Sequence, residues 1–138
     1  MLISKHDFVI VDFEGEPSRP LDERRAKHSP LRDVAGMLRS FGYATAVAAQ
    51  RLRTPEDHER ATLPLAQWRR ETADAFLEGY RSAIDGAASC PRSEETFTRL
   101  VAAFTLEKAL YELRYEVANR PDWIAIPLNA ILELVTGT

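Results

Sequence analysis

Only one stretch of this chain has the makings of a β-strand, and it lies at the start. Residues 7–13, Asp-Phe-Val-Ile-Val-Asp-Phe, form a short β-branched and aromatic run closed by the turn-prone pair Glu14-Gly15. Phe8, Ile10 and Asp12 fall on one face, and Val9, Val11 and Phe13 on the other. Apolar residues on both faces predict a strand covered from two sides. Leu2-Ile3 supply a partner across a Ser4-Lys5-His6 turn, which makes a hairpin and not a whole sheet. A two-stranded hairpin is marginal alone, so it is expected to pack on the rest of the chain or on protein outside it. After Pro30 the pattern becomes helical, apart from a linker over residues 86–92. The predicted fold class is therefore mainly α: one short N-terminal β-hairpin followed by four or five helices.

Residues 14–30 hold Gly15, Pro17, Pro20 and Pro30 among many charges and read as a long loop, the kind that is often functional. Leu31, Val34, Leu38 and Phe41 then mark a helix with Asp33 in its first turn; Gly42 ends it, kinks it, or is passed by an extension to Leu52. Thr54-Pro55-Glu56-Asp57 is a helix start, with a capping hydroxyl, proline at the first position and acids behind it. Pro64 predicts a break or kink. Leu65, Trp68, Thr72, Phe76, Leu77 and Tyr80 continue an amphipathic helix to about Gly86. Ser93-Glu94-Glu95 opens what reads as the longest helix, roughly 93–118, ended by Asn119-Arg120-Pro121. A last helix spans about 127–135.

Composition narrows the function classes. With 138 residues, 45% of them hydrophobic, the chain fits one domain with a core. Its 18 basic residues, most of them arginines and several set beside acids, are outnumbered by 21 acids, which gives no support to a nucleic-acid partner. The most apolar stretch, residues 124–135, carries Pro127 and falls short of the roughly 18 residues of a membrane span. No signal peptide is visible, and the expected compartment is the cytoplasm. The single cysteine, Cys90, rules out an intrachain disulfide and a multi-cysteine zinc site, and no histidine is near it in sequence to activate it as a nucleophile.

The chemically suggestive element is Asp12-Phe13-Glu14-Gly15. A carboxylate at the end of a buried strand, aimed where a loop begins, is how kinase-like enzymes hold the magnesium that bridges nucleotide phosphates. Magnesium takes only one or two protein carboxylates, so a single aspartate suffices. On spacing alone, the plainer role of a strand-ending acid paired with a nearby arginine is favoured. On the long helix, Leu106, Leu110, Leu113 and Val117 form the expected core stripe. Lys108, Tyr111, Tyr115 and Asn119, three or four residues apart, share another face. Aromatic rings with a few polar groups suit a sugar site. On spacing alone, tyrosines at the core edge and a Lys108–Glu112 pair are favoured.

Two longer strings tip that balance. Residues 9–41, from Val-Ile-Val-Asp-Phe-Glu-Gly-Glu-Pro to Gly-Met-Leu-Arg-Ser-Phe, closely resemble the maltokinases, and so do residues 107–128, Glu-Lys-Ala-Leu-Tyr-Glu-Leu-Arg-Tyr-Glu-Val-Ala-Asn-Arg-Pro-Asp-Trp-Ile-Ala-Ile-Pro-Leu. Members of that family stand free or are fused behind trehalose synthases, and they have a two-lobed, aminoglycoside-phosphotransferase-like kinase fold. The resemblance implies ATP-dependent phosphorylation of maltose to maltose 1-phosphate, feeding α-glucan (glycogen) synthesis. It makes Asp12 the Mg2+-binding aspartate and places Lys108, Tyr111 and Tyr115 in the maltose pocket. Glu14, His28, Glu112 and Trp123 are supporting candidates.

The family pattern also has a nucleotide-binding N-terminal lobe and a His-Gly-Asp-x-His loop with the catalytic base. Met1 falls just where that loop finishes, and no His-Gly-Asp or glycine-rich phosphate loop occurs in the chain. The expectation is a single partial domain, residues 1–138: a kinase C-lobe with no catalytic residue of its own, inactive alone. The competing expectation is a non-catalytic helical interaction module that docks on a trehalose synthase or a separate kinase lobe. Either way, the hairpin and the face around Asp12 are expected to leave apolar area uncovered and to favour self-association.

Overall fold

A computed structural model describes residues 2–5, 7–9, 11 and 20–137. Two three-residue strands, β1 (Leu2–Ser4) and β2 (Asp7–Val9), pair antiparallel with Ile3 opposite Phe8. Lys5 in the turn has φ 56°, a left-handed conformation uncommon for a side chain of this kind. This ribbon is not the doubly covered strand expected over 7–13. Val9 is 51% exposed and Val11, outside the strand, 39% exposed. Among the described residues neither strand packs on a helix. His6, Ile10, Asp12, Phe13, Glu14 and Gly15 lie outside the described residues, and with them the end of the predicted strand and the Asp12 loop.

The rest is helical: α1 (Leu21–Arg25), α2 (Leu31–Gln50), α3 (Pro55–Ile84), α4 (Glu94–Asn119), a single 3-10 turn (Pro121–Trp123) and α5 (Ala125–Thr136). The expected loop over 14–30 thus contains a short helix, with acids Asp22 and Glu23 in its first turn and Arg24 and Arg25 in its last, as the helix dipole favours. The caps follow local chemistry. Thr54 Oγ1 accepts from Asp57 N–H at 3.1 Å, and Ser93 Oγ accepts from Thr96 N–H at 3.3 Å. At the start of α2, Ser29 Oγ accepts from Leu31 N–H at 3.3 Å.

Neither Gly42 nor Pro64 breaks its helix, and of the alternatives at Gly42 the extension is the one observed. α2 runs through Gly42 to Gln50, and α3 runs through Pro64 for 30 residues, which makes it, not α4, the longest helix. Proline removes one backbone donor and crowds the preceding turn. Pro64 is solvent-exposed, and the rungs on either side hold the helix together.

α2 is the centre of the bundle. It packs on α4 along one side and on α3 along another, while α5 lies across α4 and touches α2. Leu31 and Val34 of α2 meet Phe97 and Val101 of α4, and Leu38, Phe76, Leu77, Tyr80, Ile84 and Phe104 close around them. Phe41 presents its ring edge-on to Trp68 (6.3 Å) and Phe76 (5.8 Å), so the two α3 aromatics serve the α2 seam; Trp68 stays half exposed. Arg69 and Glu133, 3.0 Å apart, tie α3 to α5.

The stripe expected to form the α4 core does not. Leu110 is 48% and Val117 57% exposed, and Leu106 and Leu113 are only half-buried. The inward stripe of α4 is instead Phe97, Val101, Ala109 and Glu116. α2 faces it with Leu31, Ala35, Arg39 and Tyr43 at four-residue steps, so the lower half of the seam is charged where the upper half is apolar. Among the described residues, no helix is long and apolar enough to cross a membrane.

Candidate functional site

α4 ends where it must. The residue before a proline is disfavoured in the helical region, and Arg120 precedes Pro121. Its φ and ψ are −144° and 72°, while its N–H still donates to Glu116 O at 2.8 Å. The chain then makes one 3-10 turn and enters α5. The last two turns of α4 therefore present their outer face beside this reversal.

On that face, Tyr111 and Tyr115 come together as their four-residue spacing requires. With Arg114, Ala118 and Asn119 they form one wall of an open groove of about 510 Å³. Pro20 and Glu23, at the start of α1, form the other wall. Tyr115 is 45% exposed and Tyr111 half-buried. Asn119 Nδ2 donates to Tyr115 O at 2.9 Å, which closes the helix end instead of reaching into the groove. Lys108 lies next along the same face with Nζ 5.0 Å from the centre of the Tyr111 ring, a cation–π contact outside the groove lining. His28 Nε2 lies 3.4 Å from Glu23 O, behind the groove's short wall.

The other predicted residues are elsewhere. Glu112 points inward, with Oε2 accepting from Arg39 Nε at 2.7 Å, and so is not part of the groove. Burial raises its carboxyl above the usual range, and Arg39 opposes that shift. Trp123 stacks on Tyr43 with ring centres 6.1 Å apart and planes 25° apart. Asp12 and Glu14 lie outside the described residues. Among the described residues no three His, Cys, Asp or Glu side chains gather as a metal site would. The bundle has a larger open cavity, about 970 Å³, between the end of α3 and the start of α4. It contains none of the predicted residues, and the Arg81–Glu94 ion pair and half-buried Cys90 line it.

Sequence reasoning missed a buried polar cluster just beneath the groove. Arg39 is 4% exposed and Glu116 1% exposed. Glu116 Oε1 accepts from Tyr43 Oη at 2.9 Å and Arg120 Nη2 at 2.7 Å, and its Oε2 accepts from Arg120 Nε at 2.8 Å. Burial, reinforced by the Glu116 hydrogen bond, holds the Tyr43 phenol far above its ordinary value of 10.0. Arg39 Nη2 is buried with no hydrogen-bond partner among the described residues. The guanidinium fits over Gly42, where a Cβ would stand 3.4 Å from Arg39 Nη1. The available signal was the four-residue series Leu31-Ala35-Arg39-Tyr43, which puts a charge on the buried face of α2.

No protein-family model matches the chain. A protein of Streptacidiphilus jiangxiensis named glucosamine kinase is 28% identical over 128 residues, which are 93% of this chain and 27% of that protein. A protein of the same name from Mycolicibacterium smegmatis is 27% identical over 134 residues, 95% of this chain and 31% of that protein. The chain thus spans less than a third of the length of the curated relatives it matches. Over nearly all of its own length, it is a distant homologue of part of two proteins that carry a sugar kinase's name.

Proposed function

We propose that this chain is the helical C-lobe part of an ATP-dependent sugar kinase, with the groove between α1 and α4 as one wall of the sugar-acceptor site. The observation that carries the reading is the similarity, along almost the whole chain, to two proteins named glucosamine kinase. The groove suits the role: Tyr111 and Tyr115 offer ring faces to a pyranose, and Arg114 and Glu23 offer polar groups at its rim. Glucosamine is the proposed acceptor, because both relatives carry that sugar in their names. Maltose, the acceptor implied by the maltokinase resemblance, is the rival.

Asp12 is the proposed magnesium ligand, and the ion, when bound, offsets charge on the ATP phosphates. Lys108, stacked on Tyr111, keeps that ring in place at the groove's end and adds positive charge beside it. No residue of the 138 is assigned as catalytic base, and the chain by itself is expected to form no sugar phosphate from ATP, magnesium and either sugar.

The test is a titration of the 138-residue chain, labelled with 13C in the tyrosine rings, with glucosamine and with maltose. The Tyr111 and Tyr115 resonances are expected to shift with glucosamine, and the resonance that remains in Tyr111→Ala or Tyr115→Ala is expected to shift only at higher sugar concentration. A larger and tighter response to maltose returns the acceptor to the one the resemblance implies. No response to either sugar removes the groove from the acceptor site.

A further inference from the structure

Beneath Tyr115, four side chains close a ring of contacts. Glu116, on the buried face of α4, uses both carboxylate oxygens on the Arg120 guanidinium and shares one with Tyr43. Tyr43, from α2, stacks its ring on Trp123. Trp123, one 3-10 turn beyond α4, lies under the guanidinium, whose carbon is 4.6 Å from its ring centre. The circuit Glu116–Arg120–Trp123–Tyr43–Glu116 thus joins α2, α4 and the turn that follows. Its backbone is tied at the same place, with Trp123 N–H donating to Arg120 O at 2.9 Å.

Tyr115 touches this ring as well. The Arg120 guanidinium also lies 5.4 Å from the centre of the Tyr115 ring, so the groove tyrosine rests against it. A half-exposed tyrosine at the end of a helix otherwise turns freely between rotamers. A guanidinium forked onto a buried carboxylate does not follow it, because moving would cost Glu116 both of its Arg120 hydrogen bonds and leave only Tyr43.

The geometry points to Arg120 as a positioning residue for Tyr115: held by Glu116, Tyr43 and Trp123, it fixes the ring plane that the sugar meets. Its role in sugar binding rests on the groove reading given above; its hold on the ring does not. The fork also makes lysine an incomplete substitute, since an ammonium keeps the charge over the rings but cannot engage both Glu116 oxygens.

Two measurements on the full 138-residue chain test this. The first is a double-mutant cycle read by glucosamine titration. Arg120→Ala is expected to weaken glucosamine binding about fivefold in the parent and to have no effect in the Tyr115→Ala background, with Arg120→Lys falling between. Equal losses in both backgrounds mean that Arg120 acts on the fold at large, and the proposal falls. The second measurement needs no sugar: the Tyr115 ring resonances of the 13C-labelled chain. In Arg120→Ala they are expected to move to the position of a freely rotating, solvated tyrosine while the Tyr111 resonances stay put; unmoved Tyr115 signals overturn the proposal. If Tyr115→Ala binds glucosamine as the parent does, the groove reading fails, and the ring resonances alone decide the positioning. Circular dichroism checks that each variant is folded, and where Arg120→Ala is not, Arg120→Lys takes its place in both arms.

Discussion

The seam between α2 and α4 has two halves built on the same spacing and filled with opposite chemistry. At the upper end Leu31 and Val34 meet Phe97 and Val101 in an apolar core, and the charges beside it, the Arg32–Glu107 pair and Arg81 over the Phe97 ring, stay at its part-exposed margin. At the lower end Arg39 meets Glu112, and Tyr43 meets Glu116, all within the bundle. Apolar burial is non-directional and tolerates a small slide of one helix on the other. A buried ion pair does not, since a slide leaves each charge desolvated without its counter-charge. The upper half therefore stabilises the seam, and the lower half sets its register. Tyr111 and Tyr115 lie on the outer face of α4, where Pro20 and Glu23 line the groove with them.

The largest expected effect tests the ionic half. Arg39→Leu leaves Glu112 buried without its hydrogen-bonded counter-charge and is expected to lower unfolding stability by about 4 kcal/mol, read from urea melts. Adding Glu112→Leu should restore most of that loss; a double variant no more stable than the single one breaks the contrast. The pH dependence has a defined sign. Burial already raises the Glu112 carboxyl above 4.5, so its folded form holds a proton more readily than its unfolded form. The stability linked to that proton is present below 4.5 and is lost as pH rises through the raised folded value. Removing Arg39 strengthens this trend, so the Arg39→Leu deficit should shrink on going from about pH 7 to about pH 5.

Phe97→Ala tests the apolar half. It should cost about 3 kcal/mol, with a deficit that does not change over the same pH range. A pH-dependent Phe97→Ala deficit would show the two halves to be coupled. Tyr43→Phe removes one hydrogen bond to Glu116 while keeping the stack on Trp123, and should cost about 1.5 kcal/mol with little change in Trp123 fluorescence. Thr54→Ala, remote from both halves, should cost about 1 kcal/mol through the lost cap of α3 and leave the Tyr111 and Tyr115 resonances where they are.

What was legible in the sequence was local. Thr54-Pro55 and Ser93-Glu94-Glu95 announce helix starts because a capping hydroxyl and its acceptor geometry lie within four residues. Arg120-Pro121 announces an end for the same reason. Tyr111 and Tyr115 were legible as neighbours because a helix fixes what lies four residues apart. Pro64 does not break its helix, because a single missing donor on an exposed turn does not outweigh the rungs around it. The α4 stripe misled. Leu106, Leu110, Leu113 and Val117 make a regular apolar row, but periodicity identifies a face without saying which neighbour covers it. Glu112, read as a sugar-site helper, is claimed by Arg39 from 73 residues away.

By itself the sequence determined where most of the helices begin and end and which side chains share a face, since both follow from contacts within a few residues. It also carries the Asp12 and α4 strings on which the kinase reading was first built. Only the tertiary structure decided which α4 face turns inward, that a charged cluster fills half of the central seam, and that Pro20 and Glu23 come to stand opposite Tyr111 and Tyr115. Those outcomes depend on pairs of groups some 70 to 95 residues apart, where packing and the cost of stranding a buried charge select among faces that local spacing leaves equivalent.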